Sequence, residues 1–403
     1  MSNSQKSVSK RLKILFLTPR YIYPVIGGDR LKPYNILKHL AAKHDVTLVS
    51  FYHGGNPPDE YKREVEKLGV ELFSVPLKPV TAGLRAVVFN INKPLEIGFY
   101  TQPSYDKVVR ELVADRGYDL AFSFFMRTAE YLKDLPIKKI LMAEDCRTLY
   151  QKRSFETSSS IKQKMIRGWE YRRLKKYEPK IVDKFDITTL VTEHDIAEMK
   201  KQNSQARYRL LTNGTDISLF KPNDSVKRDG ILFAGKFDVW ANELMVKDIV
   251  KNIMPIVHSS RPEAIMNLVG ADPTSSVIAM EADKIKLHAD VPEMIPYLQK
   301  ARVFLHPHNG GSGIQNKLLE AMACGCAVVT TPTGIQGIKA EHGKNVLVGK
   351  NSEELARHTI ELLKNDELAS EISKNARKLI VDTHSWEAVY EETDKIIEEL
   401  MSL

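Results

Sequence analysis

The sequence predicts an α/β chain of two open, parallel-sheet domains. Three observations carry that expectation. Short apolar, β-branched segments alternate with helical patterns along the whole length. Several of those segments run directly into glycine-containing turns, the usual mouth of an α/β ligand site. The 403 residues also exceed what one hydrophobic core commonly organises.

Composition narrows the class. With 43% hydrophobic and 27% charged residues, the chain is ordinary globular material. No apolar run approaches the length of a membrane span, and no signal-peptide pattern opens the chain. Residues 1–11 are polar and basic and are expected to be a disordered tail. Cys146, Cys324 and Cys326 suggest neither a disulfide framework nor a zinc site, so a reducing, cytoplasmic compartment is the simplest expectation. A net charge of +8 and a pI near 9.0 fit anionic partners: a nucleotide, a lipid headgroup or nucleic acid. Nucleic acid is the weakest of these, because none of its usual signatures is visible.

Taken in order, Leu12 to Thr18 reads as a buried strand, followed by a loop with Pro24 and the pair Gly27-Gly28. A helix from Leu31 to Lys43 and a strand from Asp45 to Phe51 complete a first βαβ unit. No Gly-x-Gly-x-x-Gly dinucleotide fingerprint is present. Glu71 to Val75, Leu120 to Phe124 and Lys139 to Ala143 are further strands. Asp145 stands just past the last of them, where a carboxylate can orient or deprotonate a hydroxyl; capping the following helix is its alternative role. Ile161 to Lys184 is a basic helix with interleaved aromatic residues, suited to a membrane surface or simply to solvent. Asp186 to Thr192 is expected to be the last strand of the first domain, with Tyr208 to Thr212 a short extended run.

The second half opens with a strand, Gly230 to Ala234, a turn at Gly235, and Lys236. Ala264 to Gly270 is another strand, and a helix begins at Tyr297. The most informative stretch is Val303 to Ile338. It predicts a strand, the turn Gly310-Gly311-Ser312-Gly313, a helix from Ile314 to Cys324 closed by Gly325, a second strand to Thr331, and a second glycine loop ending at Gly337. Glycines let the backbone approach a ligand, and a helix N-terminus favours phosphate. Lys317 falls in the first helical turn, where a cation opposes the helix dipole and is better explained by a bound anion. Glu320 follows on the same side, placed to accept from a sugar diol. A solvated Lys and Glu on an ordinary βαβ turn would share this pattern. Amphipathic helices close the chain, from Ser352 to Lys364, Glu367 to Lys378 and Ser385 onward.

The run GGSGIQNKLLEAMACGCAVVTTPTGIQGI resembles the donor-site motif of GT-B glycosyltransferases, the retaining family 4 group. Glu320 matches the second of that family's two glutamates, and Ser312 replaces the first. Asn213-Gly214-Thr215-Asp216 with Phe220-Lys221-Pro222 is similar to the family's interdomain linker. The resemblance therefore covers nearly the whole chain. It implies two Rossmann-like domains facing across a cleft: residues 12–215, completed by the C-terminal helix 386–403, and residues 216–385.

The same resemblance implies transfer of a sugar from a nucleotide donor, with UDP favoured over GDP, to a glycan or lipid-linked acceptor hydroxyl, with retention. No Asp-x-Asp occurs and no His-carboxylate cluster stands beside either glycine loop, so no metal or other cofactor is expected. Gly27 and Gly28 would face the donor phosphates. Gly311, Ser312, Gly313, Ile314, Gln315 and Asn316 would contact sugar and phosphate, and Glu320 the ribose. Lys286 to Val291, with His288 and Val291, would read the base. Lys236 stands where the family often has an arginine. The lysine expected a few positions on is missing, with Ala241 and Asn242 there instead, and Lys317 would supply its charge. Asp145 would act on the acceptor, where many relatives use a histidine. The enzyme would work in the cytoplasm, at the inner face of a membrane. A sugar-nucleotide epimerase on the same fold and a non-catalytic partner that kept the fold are the alternatives.

Overall fold

The computed structural model describes residues 11–157, 160–310 and 313–403. They form two compact units, one of residues up to Leu211 together with Glu392–Leu403, the other of Thr212–Glu391. The last helix, Trp386–Ser402, is divided between them.

The first unit is built on β1 (Lys13–Thr18), β2 (Asp45–His53), β3 (Glu71–Leu77), β4 (Leu120–Phe124), β5 (Lys138–Glu144), β6 (Ile187–Leu190) and β7 (Tyr208–Leu210). All pairings are parallel, in the order β3-β2-β1-β4-β5-β6-β7. Ile14 to Leu17 are fully buried, because helices cover both faces of such a sheet. The strand order turns back between β1 and β4, and the register pairs Phe16 with Phe122, whose rings stack at 5.3 Å.

One expectation is corrected here. Asp186 to Thr192 does not hold the last strand of this sheet, since Tyr208–Leu210 pairs beyond it through Thr188 and Tyr208. Three residues are too few to show a periodicity, so only the pairing distinguishes this strand from a loop.

The second unit carries β8 (Asp229–Ala234), β9 (Met266–Gly270), β10 (Ile285–Ala289), β11 (Ala301–His306), β12 (Ala327–Thr330) and β13 (Leu347–Val348). Their order is β10-β9-β8-β11-β12-β13, again parallel and again reversing, here between β8 and β11. In such sheets ligands bind at the carboxyl ends of the strands beside the reversal. The helix after β11 spans Asn316–Ala323, shorter at both ends than expected, so Ile314 and Gln315 belong to the turn. Gly325 follows it with φ 77°, the left-handed geometry that ends helices. The penultimate helix runs Asp366–His384, six residues past the expected Lys378, because the buried Ile380 and His384 prolong its apolar stripe. No described helix is long and apolar enough to cross a membrane.

Candidate functional site in the second unit

At the carboxyl ends of β8 and β9, beside the reversal, two turns come together. Gly235 follows β8, and a Cβ there would lie 3.2 Å from Lys317 Nζ and 3.1 Å from the Asn242 amide. Gly270 ends β9, and a Cβ on it would come within 1.7 Å of the Gly235 carbonyl oxygen. Only glycine at 270 lets these two turns touch.

Lys317 is half-buried in the first turn of the helix Asn316–Ala323. Its Nζ donates to Asn242 Oδ1 at 2.7 Å, and Asn242 Nδ2 in turn donates to the Lys236 carbonyl at 2.7 Å. Asn242 thus stands where the family resemblance expects a lysine, and it holds the ammonium that arrives from the other turn. The Phe233 ring lies 5.6 Å from that ammonium. Burial pushes the Lys317 ammonium down to about 8, with the Glu320 carboxylate opposing the shift. Burial likewise pushes the Glu320 carboxyl up to about 7, against the pull of Lys317. Glu320 accepts no hydrogen bond from any described residue. Gln315, at the N-cap, makes no side-chain cap, so the first N–H groups of this helix are not capped by it.

Lys236 is exposed and pairs with Asp238 at 2.9 Å and Asp272 at 3.1 Å. Its charge is ion-paired within the unit, whereas Lys317 hydrogen-bonds a neutral amide and meets the Glu320 carboxylate only through space among the described residues. Asp272 N–H donates to Asp290 Oδ1 at 2.9 Å, which ties the turn after β10 to the Lys236 turn. His288 lies on β10, with Nε2 3.0 Å from Asn267 Oδ1 and its ring 4.9 Å from Tyr297. Val291 is partly exposed in the following turn. Asn316 accepts from Asn213 Nδ2 at 2.9 Å and so anchors the helix N-terminus to the linker. Gly313 has φ 77°, and Ile314 is buried. Gly311 and Ser312 lie outside the described residues.

Two residues escaped the sequence reading. His306 ends β11 and His308 follows it; both are buried, with rings stacked 5.4 Å apart. Burial pushes His306 well below the ordinary imidazole range, and Lys317 and His308 add to the shift. Burial and Lys317 bring His308 to about 4. Both are therefore neutral at neutral pH. Neither Nε2 has a hydrogen-bond partner among the described residues. Gly334 of the second glycine loop packs on His306 and Thr330, since a Cβ there would reach 2.1 Å from Thr330 Oγ1 and 3.2 Å from His306 Nδ1. The signal was available: His-Pro-His at a strand end, directly before the glycine turn.

The first unit holds the other expected residues. Gly27, φ 89°, is the N-cap of helix Gly28–Lys43, whose N-terminus carries no side-chain cap. Asp145 is half-buried, its Oδ2 3.3 Å from Arg147 Nη1. Glu178 caps the next helix, its Oε1 accepting from Arg147 N–H at 2.8 Å and its Oε2 from Thr148 N–H at 3.1 Å. Beside Asp145, Glu144 adopts φ 70° and pairs at 2.9 Å with the buried Lys32, whose Nζ also donates to Leu211 O at 2.7 Å.

Residues 228–365 match the family described as Glycosyl transferases group 1. Over 115 residues the chain is 30% identical to an uncharacterized glycosyltransferase of Methanocaldococcus jannaschii, a stretch covering 28% of this chain and 29% of that protein. It is 21% identical over 402 residues to an uncharacterized 44.6 kDa protein from the cps region of Klebsiella pneumoniae, covering 94% of this chain and 98% of that one. Among solved structures, sucrose-phosphate synthase from Thermosynechococcus elongatus superposes with a TM-score of 0.71 at 16% identity, over 97% of this chain and 100% of the other. Anabaena HepE in complex with UDP superposes with a TM-score of 0.68 at 16% identity, with the same coverage. Identities that low speak to the fold, which is GT-B with two Rossmann-like domains. The family match thus lies within the second unit, and the two-unit fold is that of GT-B glycosyltransferase structures.

Proposed function

We propose that the chain moves a hexosyl unit from a nucleotide-sugar, UDP-linked in preference to GDP-linked, to the hydroxyl of a glycan or lipid-linked acceptor, with retention of configuration. The observation that carries this reading is Lys317: a half-buried ammonium whose hydrogen bond, among the described residues, goes to an amide, beside two glycine turns at the strand-order reversal. Such a charge is costly without a ligand and suits the pyrophosphate that departs with the nucleotide. Glu320 would accept from the ribose diol. The Gly313–Asn316 turn would offer backbone N–H groups to phosphate and sugar. His308, neutral and with an unpartnered Nε2 among the described residues, would add a hydrogen bond to the donor. The turn at His288 and Val291 would meet the base. Lys236, paired with two carboxylates, would contribute less than Lys317.

In the first unit, Asp145 would orient the acceptor hydroxyl, and Gly27 with Gly28 would supply N–H groups at their helix start. Fixed cations and helix N-termini would stabilise the leaving group, so transfer would proceed without a divalent metal. A cps-region relative and a structural neighbour, WaaG, described as involved in lipopolysaccharide biosynthesis, support a cell-envelope acceptor made at the cytoplasmic face of a membrane. The choice of UDP is supported by the neighbour solved with UDP-glucose.

Calorimetric titration with a panel of nucleoside diphosphates tests the donor site. Tight binding of UDP is expected, and no binding of any of them would overturn the reading. Incubation with the donor sugar alone separates transfer from epimerisation.

A further inference from the structure

Helix Pro79–Val88 is turned the opposite way from a usual surface helix. Its small residues face inward: Ala82 and Ala86 are buried, and a Cβ on Gly98 would lie 3.4 Å from Ala86. Its large ones face outward. Val80, Leu84 and Val88 recur at helical spacing and are 85%, 64% and 55% exposed, and Phe89 just beyond is 74% exposed. No acidic residue occurs from Lys78 to Lys93, while Arg85 sits within the stretch.

The basic helix Ile161–Val182 shows the same combination. Ile161, Met165, Ile166 and Trp169 are exposed and line an apolar groove of about 800 Å³. Lys162, Lys164, Arg172, Lys175 and Lys176 are exposed among and beyond them. The helix has two carboxylates, Glu170 and Glu178, and both are buried. Glu170 accepts from Leu95 N–H at 2.8 Å, and Glu178 is the cap already described. The solvent side of this helix therefore carries apolar groups and cations but no anion.

The two stretches are tied together. Arg173 Nη1 donates to Lys93 O at 2.6 Å, beside the Leu95–Glu170 bond. Of the eighteen exposed large apolar side chains among the described residues, ten lie between Val80 and Ile91 or between Ile161 and Trp169. Soluble surfaces rarely concentrate apolar groups in this way without a partner.

We infer that helix Pro79–Val88 with Phe89, and helix Ile161–Val182, form one docking surface that inserts into an anionic lipid bilayer. Charge selects the occupant. A second copy would set cations against cations, and an apolar protein partner would leave them unmatched. Anionic lipid meets both, with its phosphates against the lysines and arginines and its acyl chains against Leu84, Phe89 and Trp169. The inference extends the proposal of an acceptor at a membrane, but its test is independent of the donor site.

The test uses the full chain with vesicles of phosphatidylcholine alone or mixed equally with phosphatidylglycerol. Sedimentation with the anionic vesicles is expected, retained in part at high salt, with brominated acyl chains quenching Trp169 emission in a Trp240→Phe background. Leu84→Gln combined with Phe89→Gln should reduce partitioning by about a hundredfold, since each inserted side chain is worth about tenfold, with UDP binding unchanged. Binding abolished by salt and indifferent to those substitutions would overturn insertion. So would a wild type that ignores the vesicles and dimerises in a way the double variant abolishes. Vesicle binding without UDP binding would leave this surface standing and remove the transferase reading instead.

Discussion

Replacing Lys317 with methionine keeps the length of the side chain and removes its charge. The structure sets the size of the effect. The ammonium donates to a single amide oxygen at 2.7 Å, and its pKa falls from an ordinary 10.5 to about 8 through burial. At about 1.4 kcal/mol for each tenfold change in proton affinity, holding that charge costs the fold about 3 kcal/mol. Because the folded pKa is depressed, the cost is fully present below about 8, shrinks as pH rises, and is gone above 10.5. Losing the bond to Asn242 costs about 1 kcal/mol, so Lys317→Met should stabilise the unliganded protein at pH 7 by about 1–2 kcal/mol. That gain should fade as pH approaches 10.5. Turnover should fall by about a hundred- to a thousandfold, more than donor affinity does, because the charge it meets is greatest as the pyrophosphate leaves. Urea unfolding across this pH range, with and without UDP, and initial rates give the readouts. Normal turnover, or an unliganded variant less stable than wild type at pH 7, would refute the reasoning and make Lys317 a structural charge.

Glu320→Gln should weaken UDP binding roughly ten- to a hundredfold with the fold intact, the worth of a charged hydrogen bond. In the wild type, calorimetry should show affinity rising as pH passes about 7, where Glu320 ionises, and falling above about 8, where Lys317 loses its proton; the Gln variant should lack the rising limb. Transfer should survive excess EDTA, and a strict need for magnesium or manganese would send the search for leaving-group stabilisation back to the carboxylates. Gly270→Ala should cost about 1–3 kcal/mol in urea unfolding and weaken UDP binding, because its Cβ would meet the Gly235 carbonyl at 1.7 Å. An unchanged midpoint would mean that these turns are not packed on each other.

Much of the site was legible because its parts are local. A lysine in a first helical turn, a glutamate one turn on, and glycines at a strand end can all be read from spacing along one segment. The His-Pro-His at the end of β11 was equally local, but a histidine carries no sign of its burial, and burial together with the Lys317 charge makes the pair neutral. The cap that Glu178 places on the helix after Asp145 could not be read from neighbours, because the two lie some thirty residues apart.

What the sequence by itself determined is the alternation of strands and helices, the two sheets, and the glycine turns at their carboxyl ends, since period and turn chemistry act over a few residues. Tertiary structure decided which charges are matched. Lys317 and Asn242 lie 75 positions apart, and Lys236 meets Asp272 across two strand ends. Both pairings exist only because parallel strands β8, β9 and β11 stand side by side. The cost of a buried charge depends on what surrounds it in three dimensions, so the contrast between an ammonium held by an amide and one held by two carboxylates has no counterpart in the one-dimensional pattern.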